Sequence, residues 1–186
     1  SMRFILVALF FLGLVYLVLP GPSKIEDFAP IPDSTKSNLD GDTWQNPNLV
    51  AYFSDFKREN ITQFYRQQLR DKYLFGKFIP PIRLNHPPEA AYTYIRDQQE
   101  STFLEEYIYP FRESLYVNGY EPEVENRMFK KPSNFVGDHV WYEEIPYNSK
   151  ATLRFYPSNP VSRVIIYLGV WAAAIALFKL YRKALG

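Results

Sequence analysis

The residues of this chain that could do chemistry are concentrated between Arg83 and Tyr120, where aromatic, acidic and basic side chains alternate. Glu105 and Glu106 are neighbours within 101–109, a stretch that alternates in the way a strand does. Adjacent strand residues point to opposite faces of a sheet, so these two carboxylates cannot form one acid pair. Whichever of them faces inward needs a cationic partner.

Three arginines of the same region could supply that cation: Arg83, Arg96 and Arg112. A buried ion pair that fixes the sheet to a helix is the structural interpretation, and a ligand-binding cleft built from the same residues is the functional one. The candidate site for a ligand or partner consists of Arg83, His86, Glu105, Glu106 and Arg112.

Signatures of catalysis and metal binding are missing from the sequence. Of the two histidines, His86 and His139, neither belongs to an H-E-x-x-H pattern, and no G-x-S-x-G occurs. Asp40-Gly41-Asp42 lacks the other ligands of a calcium loop and predicts a turn. We therefore expect no catalytic residue, metal or cofactor. The alternative is an envelope glycan or peptide hydrolase whose two carboxylates come from distant parts of the chain.

The elements that must position these residues follow from hydrophobic periodicity. Helices are predicted at about 60–73 and 86–99, and strands at 49–53, 78–84, 101–109, 112–117, 140–142 and 151–156. Asn118-Gly119 predicts a turn, and the charged, proline-bounded stretch 121–134 predicts a surface loop. This order predicts an α+β fold, a small two-layer sandwich with a mainly antiparallel sheet and about two packed helices.

The domain must be held by its core, because the chain contains no cysteine. The predicted core residues are Phe53, Phe64, Tyr65, Leu69, Ile95, Leu104, Ile108, Leu115 and Trp141, and Phe64→Ala is expected to unfold or badly weaken the domain. Residues 23–48 are rich in Pro, Gly and Asp, which predicts an extended linker or a wrapping arm. The folded domain is therefore expected at 49–157.

Two stretches carry no charge, one from Phe4 to Ser23 and one from Val164 to Phe178. A bilayer core of about 30 Å needs about 20 apolar residues, so we expect transmembrane helices at 3–22 and 161–181, and a basic tail at 182–186. The first is expected to be an uncleaved signal anchor, because no A-x-A-like site follows it; a cleaved signal peptide is the alternative. For the second, the alternative is a buried core helix of a soluble domain.

The distribution of charge predicts the topology. Arg3 precedes the first apolar stretch, and Lys179, Arg182 and Lys183 follow the second. The positive-inside rule then predicts a two-pass cell-membrane protein with both termini in the cytoplasm and the middle domain extracytoplasmic. The formal net charge of the whole chain is +1, and subtracting the four terminal cations leaves about −3 for the middle, so we expect no nucleic-acid partner.

Small residues mark both apolar stretches. Gly169, Ala172, Ala173 and Ala176 share one face of the second predicted helix, and Gly13 lies in the first. Such a face could pack against the first helix near Gly13, or mediate self-association or docking to another membrane protein. The sequence therefore predicts a non-enzymatic, membrane-anchored envelope protein whose outer domain mediates protein interaction or assembly. A ligand-binding domain is the further alternative.

Overall fold

The computed structural model describes residues 2–43, 46–96, 98, 100–129 and 137–185. The chain divides into two compact units. One is the domain Gly21–Pro157, and the other joins Ser1–Pro20 with Ser158–Gly186.

The domain is built on one antiparallel sheet of six strands: β1 Thr35–Lys36, β2 Leu49–Ser54, β3 Ile82–His86, β4 Phe103–Ile108, β5 Ser114–Tyr120 and β8 Ser149–Tyr156. Their order across the sheet is β1-β2-β8-β5-β4-β3. A separate hairpin is formed by β6 Val140–Tyr142 and β7 Ile145–Tyr147. The predicted α+β class with a mainly antiparallel sheet is therefore confirmed.

The α-helices of the domain are α2 Arg58–Lys72, α3 Leu74–Phe78, α4 Ala91–Tyr94 and α5 Pro122–Phe129, whereas α1 Met2–Val18 and α6 Pro160–Leu185 belong to the other unit. Helices of the domain lie on both faces of its sheet. The Tyr107 hydroxyl of β4 lies 3.1 Å from the carbonyl oxygen of Thr62 in α2. Leu104 points to the other face and packs with Ala91 of α4. The sheet therefore lies between helices on both of its faces, whereas the predicted two-layer sandwich had helices on one face only.

The longest helix of the domain, α2, buries one stripe of side chains. Ile61, Tyr65 and Leu69 are four positions apart and fully buried, which is the period of a helix with one face on a core. The helix begins at Arg58, whose backbone N–H donates to the carboxylate of Glu121. That contact satisfies one of the free N–H groups that a helix start exposes.

Most of the predicted core residues are buried: Phe53, Tyr65, Leu69, Ile95, Leu104 and Leu115. The other three predicted core residues are not fully buried, so those predictions were wrong. Phe64 is only half-buried, because it lies beside the stripe of α2 rather than on it. Trp141 is 66% exposed, because the β6–β7 hairpin packs through Tyr142, whose ring stacks on Phe53 at 4.3 Å. Ile108, at the end of β4, is half-buried.

The stretch before β2 belongs to the compact domain. Ile25, Phe28 and Ile31 are buried, and the ring of Phe28 meets that of Phe155 in β8 at 5.3 Å. The short strand β1 adds to the sheet beside β2. The domain therefore begins at Gly21, and not at Leu49 as the composition of 23–48 suggested.

Three local predictions were also wrong. The predicted loop at 121–134 contains α5, which begins with a proline and carries acids in its first turn, both favourable at a helix start; positions 130–134 lie outside the described residues. The predicted turn Asn118-Gly119 is part of β5. His86 ends β3 and does not start a helix, and the predicted helix 86–99 is reduced to a 3-10 turn and α4, with positions 97 and 99 outside the described residues.

In the other unit, α1 and α6 pack against each other. The ring of Phe10 stacks on Tyr167 at 5.7 Å and meets the edge of Trp171 at 5.5 Å. Within the described residues, α6 is the one helix long and apolar enough to cross a membrane. The apolar helix α1 has 17 residues, about 26 Å, which is shorter than a bilayer core.

Candidate functional site

A fully buried carboxylate, Glu105 of β4, lies beside the first turn of α2. Its Oε1 accepts hydrogen bonds from Arg58 Nε at 3.0 Å and Nη2 at 2.8 Å, and from Arg83 Nη2 at 2.6 Å. The Tyr107 hydroxyl lies 2.9 Å from its Oε2. Burial opposes ionisation, but these hydrogen bonds outweigh it and hold the pKa of Glu105 below its ordinary value of 4.5. Two guanidinium groups therefore converge on one ionised carboxylate.

Arg58 is fixed by several independent contacts. Besides Glu105, its Nη2 donates to Asn85 Oδ1 at 2.9 Å. Its guanidinium lies 5.0 Å from the ring centroid of Phe103, within the range of a cation–π interaction. Its side chain remains 37% exposed, so the guanidinium is both positioned and accessible.

Arg83 comes from the edge strand β3. It lies directly opposite Tyr107 in the β3–β4 register, and therefore on the same face as Glu105. Its hydrogen bond to Glu105 raises the pKa of Arg83, so the guanidinium stays charged. Its side chain is 46% exposed, which leaves part of the guanidinium open to solvent.

These side chains border a cleft of about 560 Å³. Its lining comes from one face of α2 and from two strands: Arg58, Glu59, Thr62, Gln63, Arg66, Arg83 and Tyr107. Arg58, Thr62 and Arg66 are four positions apart and so lie along the same side of the helix. Against its three guanidinium groups stand Glu59 and the buried Glu105, so the cleft carries an excess of positive charge.

Ionised Glu105 is expected to make the stability of the domain depend on acid pH. Its folded-state pKa is lowered, so its contribution is complete above the ordinary value of 4.5 and is lost as the pH falls through the folded-state value. Glu105→Gln should lower the free energy of unfolding by about 2 kcal/mol at pH 7. This loss is smaller than that from breaking a fully buried ion pair, because both arginines are more than one-third exposed. Thermal unfolding of the full chain in detergent from pH 7 down to pH 3 measures both effects.

Glu59→Gln is the matched control for that measurement, because Glu59 is an exposed glutamate of the same cleft. We expect it to lose at most about 1 kcal/mol of stability, because Glu59 is an acid in the first turn of α2, and to keep the parent's steep loss of stability toward acid pH. If Glu105→Gln loses stability toward acid as steeply as the parent does, Glu105 is not the group that titrates.

On the other face of the sheet, Glu106 pairs with His86. The Nε2 of His86 lies 2.8 Å from Glu106 Oε2, and its ring stacks on Tyr116 at 5.7 Å. Tyr94 of α4 stacks on Tyr116 at 4.7 Å. Burial, reinforced by the nearby carboxylate of Glu106, raises the pKa of Tyr116, which keeps the phenol protonated. These contacts hold α4 against the sheet.

Arg112 lies apart from both the cleft beside Glu105 and the His86–Glu106 pair. Its Nε donates to Glu113 at 3.1 Å, and its guanidinium lies 3.8 Å from the ring centroid of Phe75. Gly21 passes so close that a Cβ there would lie 2.3 Å from Arg112 Nη2. Arg112 thus packs between α3 and the first residues of the domain, and it does not line the cleft beside Arg58 and Arg83.

The structure separates the five residues of the predicted site. It brings Arg83 and Glu105 together at the cleft, as one of the ion pairs considered from sequence, and places His86 with Glu106 on the opposite face. Sequence reasoning missed Arg58 and Arg66. The available signal was their spacing with Thr62, which places all three on one face of a helix. It was overlooked because neither arginine lies within 83–120, the stretch in which candidate site residues were sought.

The small residues predicted to pack helices together differ in their surroundings. A Cβ on Gly13 would lie 2.2 Å from Tyr167 Oη, so Gly13 allows the close approach of α6. Ala172, Ala173 and Ala176 are exposed, and a Cβ on Gly169 would contact nothing within 4 Å. The small-residue face of α6 therefore does not pack on α1, and its role in association stays a prediction.

Within the described residues, no group of three His, Cys, Asp or Glu side chains could hold a metal ion. In the Asp40-Gly41-Asp42 stretch, the Asp42 carboxylate instead accepts a hydrogen bond from the Ser37 hydroxyl at 2.6 Å and forms an ion pair with Lys150 at 2.7 Å. This carboxylate ties a 3-10 turn to β8.

Comparison with known proteins gives no relative from which a role could be transferred. No protein-family model, no curated protein and no solved structure matches this chain. Function is therefore inferred from the residues of the chain itself.

Proposed function

We propose that this protein is a non-enzymatic, membrane-anchored component of a cell envelope or membrane complex, and that its domain Gly21–Pro157 binds a protein partner or a second copy of the chain. The two-pass topology, with both termini in the cytoplasm and the domain extracytoplasmic, is part of this proposal.

The observation that carries the proposal is the uncovered surface of α6. This helix has 26 residues, its most apolar window has a mean hydropathy of 2.0, and only 6% of that window is buried. A core helix of a soluble protein would bury most of this surface. At about 39 Å, the helix is long enough to cross a bilayer core of about 30 Å.

Contacts between α1 and α6 support the two-pass part. Phe10 meets Trp171, whereas Leu17, further along α1, accepts a hydrogen bond from Arg163, earlier in α6. The two helices therefore run antiparallel, which brings Arg3 to the same end as the basic residues after Phe178. A common basic end favours the cytoplasmic side for both termini.

Arg163 supports the position of the opposite boundary. It is buried, and its guanidinium donates to the hydroxyl and carbonyl oxygens of Ser158 at 2.6 and 2.9 Å and to the carbonyl oxygen of Leu17 at 3.4 Å. A charge with its donors satisfied in this way is tolerated at the end of a membrane-spanning helix.

The membrane part is tested by extraction and by protease access. We expect the full chain to stay with membranes washed in alkaline carbonate, because α6 is inserted and not adsorbed. Protease added to sealed cells should cleave the domain and spare a tag placed after α6. Release by carbonate, or digestion of that tag in sealed cells, would contradict the proposal.

The partner is tested in the same membranes by cross-linking and native detergent extraction. We expect a species larger than one chain that contains either a second copy or a defined partner. A matched sample in which Gly169 and Ala173 are replaced by leucine asks whether the small-residue face is the contact. A strict monomer that recovers no partner would count against binding.

A further inference from the structure

We propose that the cleft between α2 and β3 binds a phosphate group, with Arg58, Arg66 and Arg83 as the residues that recognise it. This binding site is additional to the proposed protein contact and does not depend on it.

Two positive charges face one negative charge at Glu105. One carboxylate oxygen receives Nη2 of both Arg58 and Arg83, at 2.8 and 2.6 Å, so the two cationic groups are held close together. A single arginine would neutralise this carboxylate. The second adds a positive charge that repels the first, and an anion bound in the cleft relieves that repulsion.

Arg66 lines the same cleft, two turns further along α2 than Arg58. It makes no ion pair or hydrogen bond with any residue that the structure describes, so its fold-stabilising role is small. Its donors are available to a ligand, whereas those of Arg58 and Arg83 are held in place by Glu105. The cleft therefore combines two guanidinium groups positioned by Glu105 with a third that has no polar partner among the described residues.

The number of guanidinium groups favours phosphate over carboxylate as the ligand group. Arginine forms paired hydrogen bonds with both, but a phosphate group carries more negative charge and more acceptor oxygens. Three guanidinium groups that come from a helix and from a strand suit a tetrahedral group with oxygens on several sides. The cleft, at about 560 Å³, also has room for the molecule that carries the phosphate.

Titration of the full chain with inorganic phosphate tests this site. The chain is held in nanodiscs of phosphatidylcholine, and binding is measured by calorimetry at low salt. We expect Arg66→Gln to weaken phosphate binding about tenfold without changing the unfolding temperature, because the lost contact is a charge-assisted one made only to the ligand. Arg70→Gln is the matched control, since Arg70 lies one turn further, pairs with Asp71 and is exposed; it should bind like the parent.

Two further samples identify the source of the phosphate. Nanodiscs with phosphatidic acid present a terminal lipid phosphate, and nanodiscs with phosphatidylglycerol control for surface charge. If inorganic phosphate no longer binds in nanodiscs with phosphatidic acid but still binds in those with phosphatidylglycerol, the site is assigned to a lipid headgroup. If phosphate binds equally well in both, the site is assigned to a soluble phosphate ester. The proposal is overturned if phosphate does not bind in phosphatidylcholine, or if Arg66→Gln and Arg70→Gln bind equally well.

Discussion

Replacing Tyr65 by alanine is expected to lower the free energy of unfolding of the domain by about 3 to 5 kcal/mol. Tyr65 is fully buried in the centre of the α2 stripe, so its removal leaves a cavity between helix and sheet. Since a domain of this size has about 5 to 15 kcal/mol of stability, the loss is a large part of the total. Thermal and denaturant unfolding of the full chain in detergent, followed by near-ultraviolet circular dichroism, measures it.

The neighbouring residue provides the control. Phe64 is half-buried, so Phe64→Ala should cost clearly less than Tyr65→Ala, whereas the sequence alone placed both in the core. The Tyr65 hydroxyl is buried without a hydrogen-bond partner among the described residues, so Tyr65→Phe should be neutral or stabilising by about 1 kcal/mol. Equal costs for the two alanine variants would mean that α2 is rotated from the orientation described.

Gly119→Ala is expected to be the second severe change, with a cost of about 3 kcal/mol. A Cβ at Gly119 would lie 2.0 Å from Cε1 and 2.1 Å from Cζ of Phe103, directly opposite it in the β4–β5 register. Phe103 is only 2% exposed and has little room to move. Because Arg58 lies over the same ring, displacement of Phe103 should also weaken phosphate binding in the cleft.

Rescue distinguishes this clash from a general intolerance of the strand. Phe103→Leu removes Cε1 and Cζ, the two atoms closest to the new Cβ, so the double variant should be more stable than the sum of the single changes allows. Gly41→Ala is the control, because a Cβ there meets nothing within 4 Å. If Gly119→Ala and Gly41→Ala unfold at the same temperature, the close packing of Phe103 on Gly119 is not as described.

Local alternation carried much of the fold prediction. The pattern of 101–109 correctly separated Glu105 from Glu106, because side-chain direction in a strand depends on position alone. The spacing of Ile61, Tyr65 and Leu69 likewise identified α2. Both signals are complete within a few residues and do not depend on the rest of the chain.

The errors came from residues whose structure depends on distant partners. Gly119 resembles a turn residue in sequence, and only the ring of Phe103 across the sheet explains a glycine there. His86 was assigned to a helix because of the prolines after it, but its pairing with Glu106 belongs to the β3–β4 register. Arg58 was missed because its partner Glu105 is 47 positions away in the chain.

The place of β8 in the sheet has a consequence for biosynthesis. β8 lies between β2 and β5, so without it the strands divide into a β1–β2 pair and a β5–β4–β3 group that share no hydrogen bonds. Ribosomes add about 5 to 20 residues per second, so the edge of β2 stays open for about 5 to 19 s and the edge of β5 for about 1 to 6 s before β8 is synthesised. The next segment translated is α6. The sheet can therefore close only when the apolar helix α6 is about to be synthesised, and until then the facing edges of β2 and β5 are open to pairing with other chains.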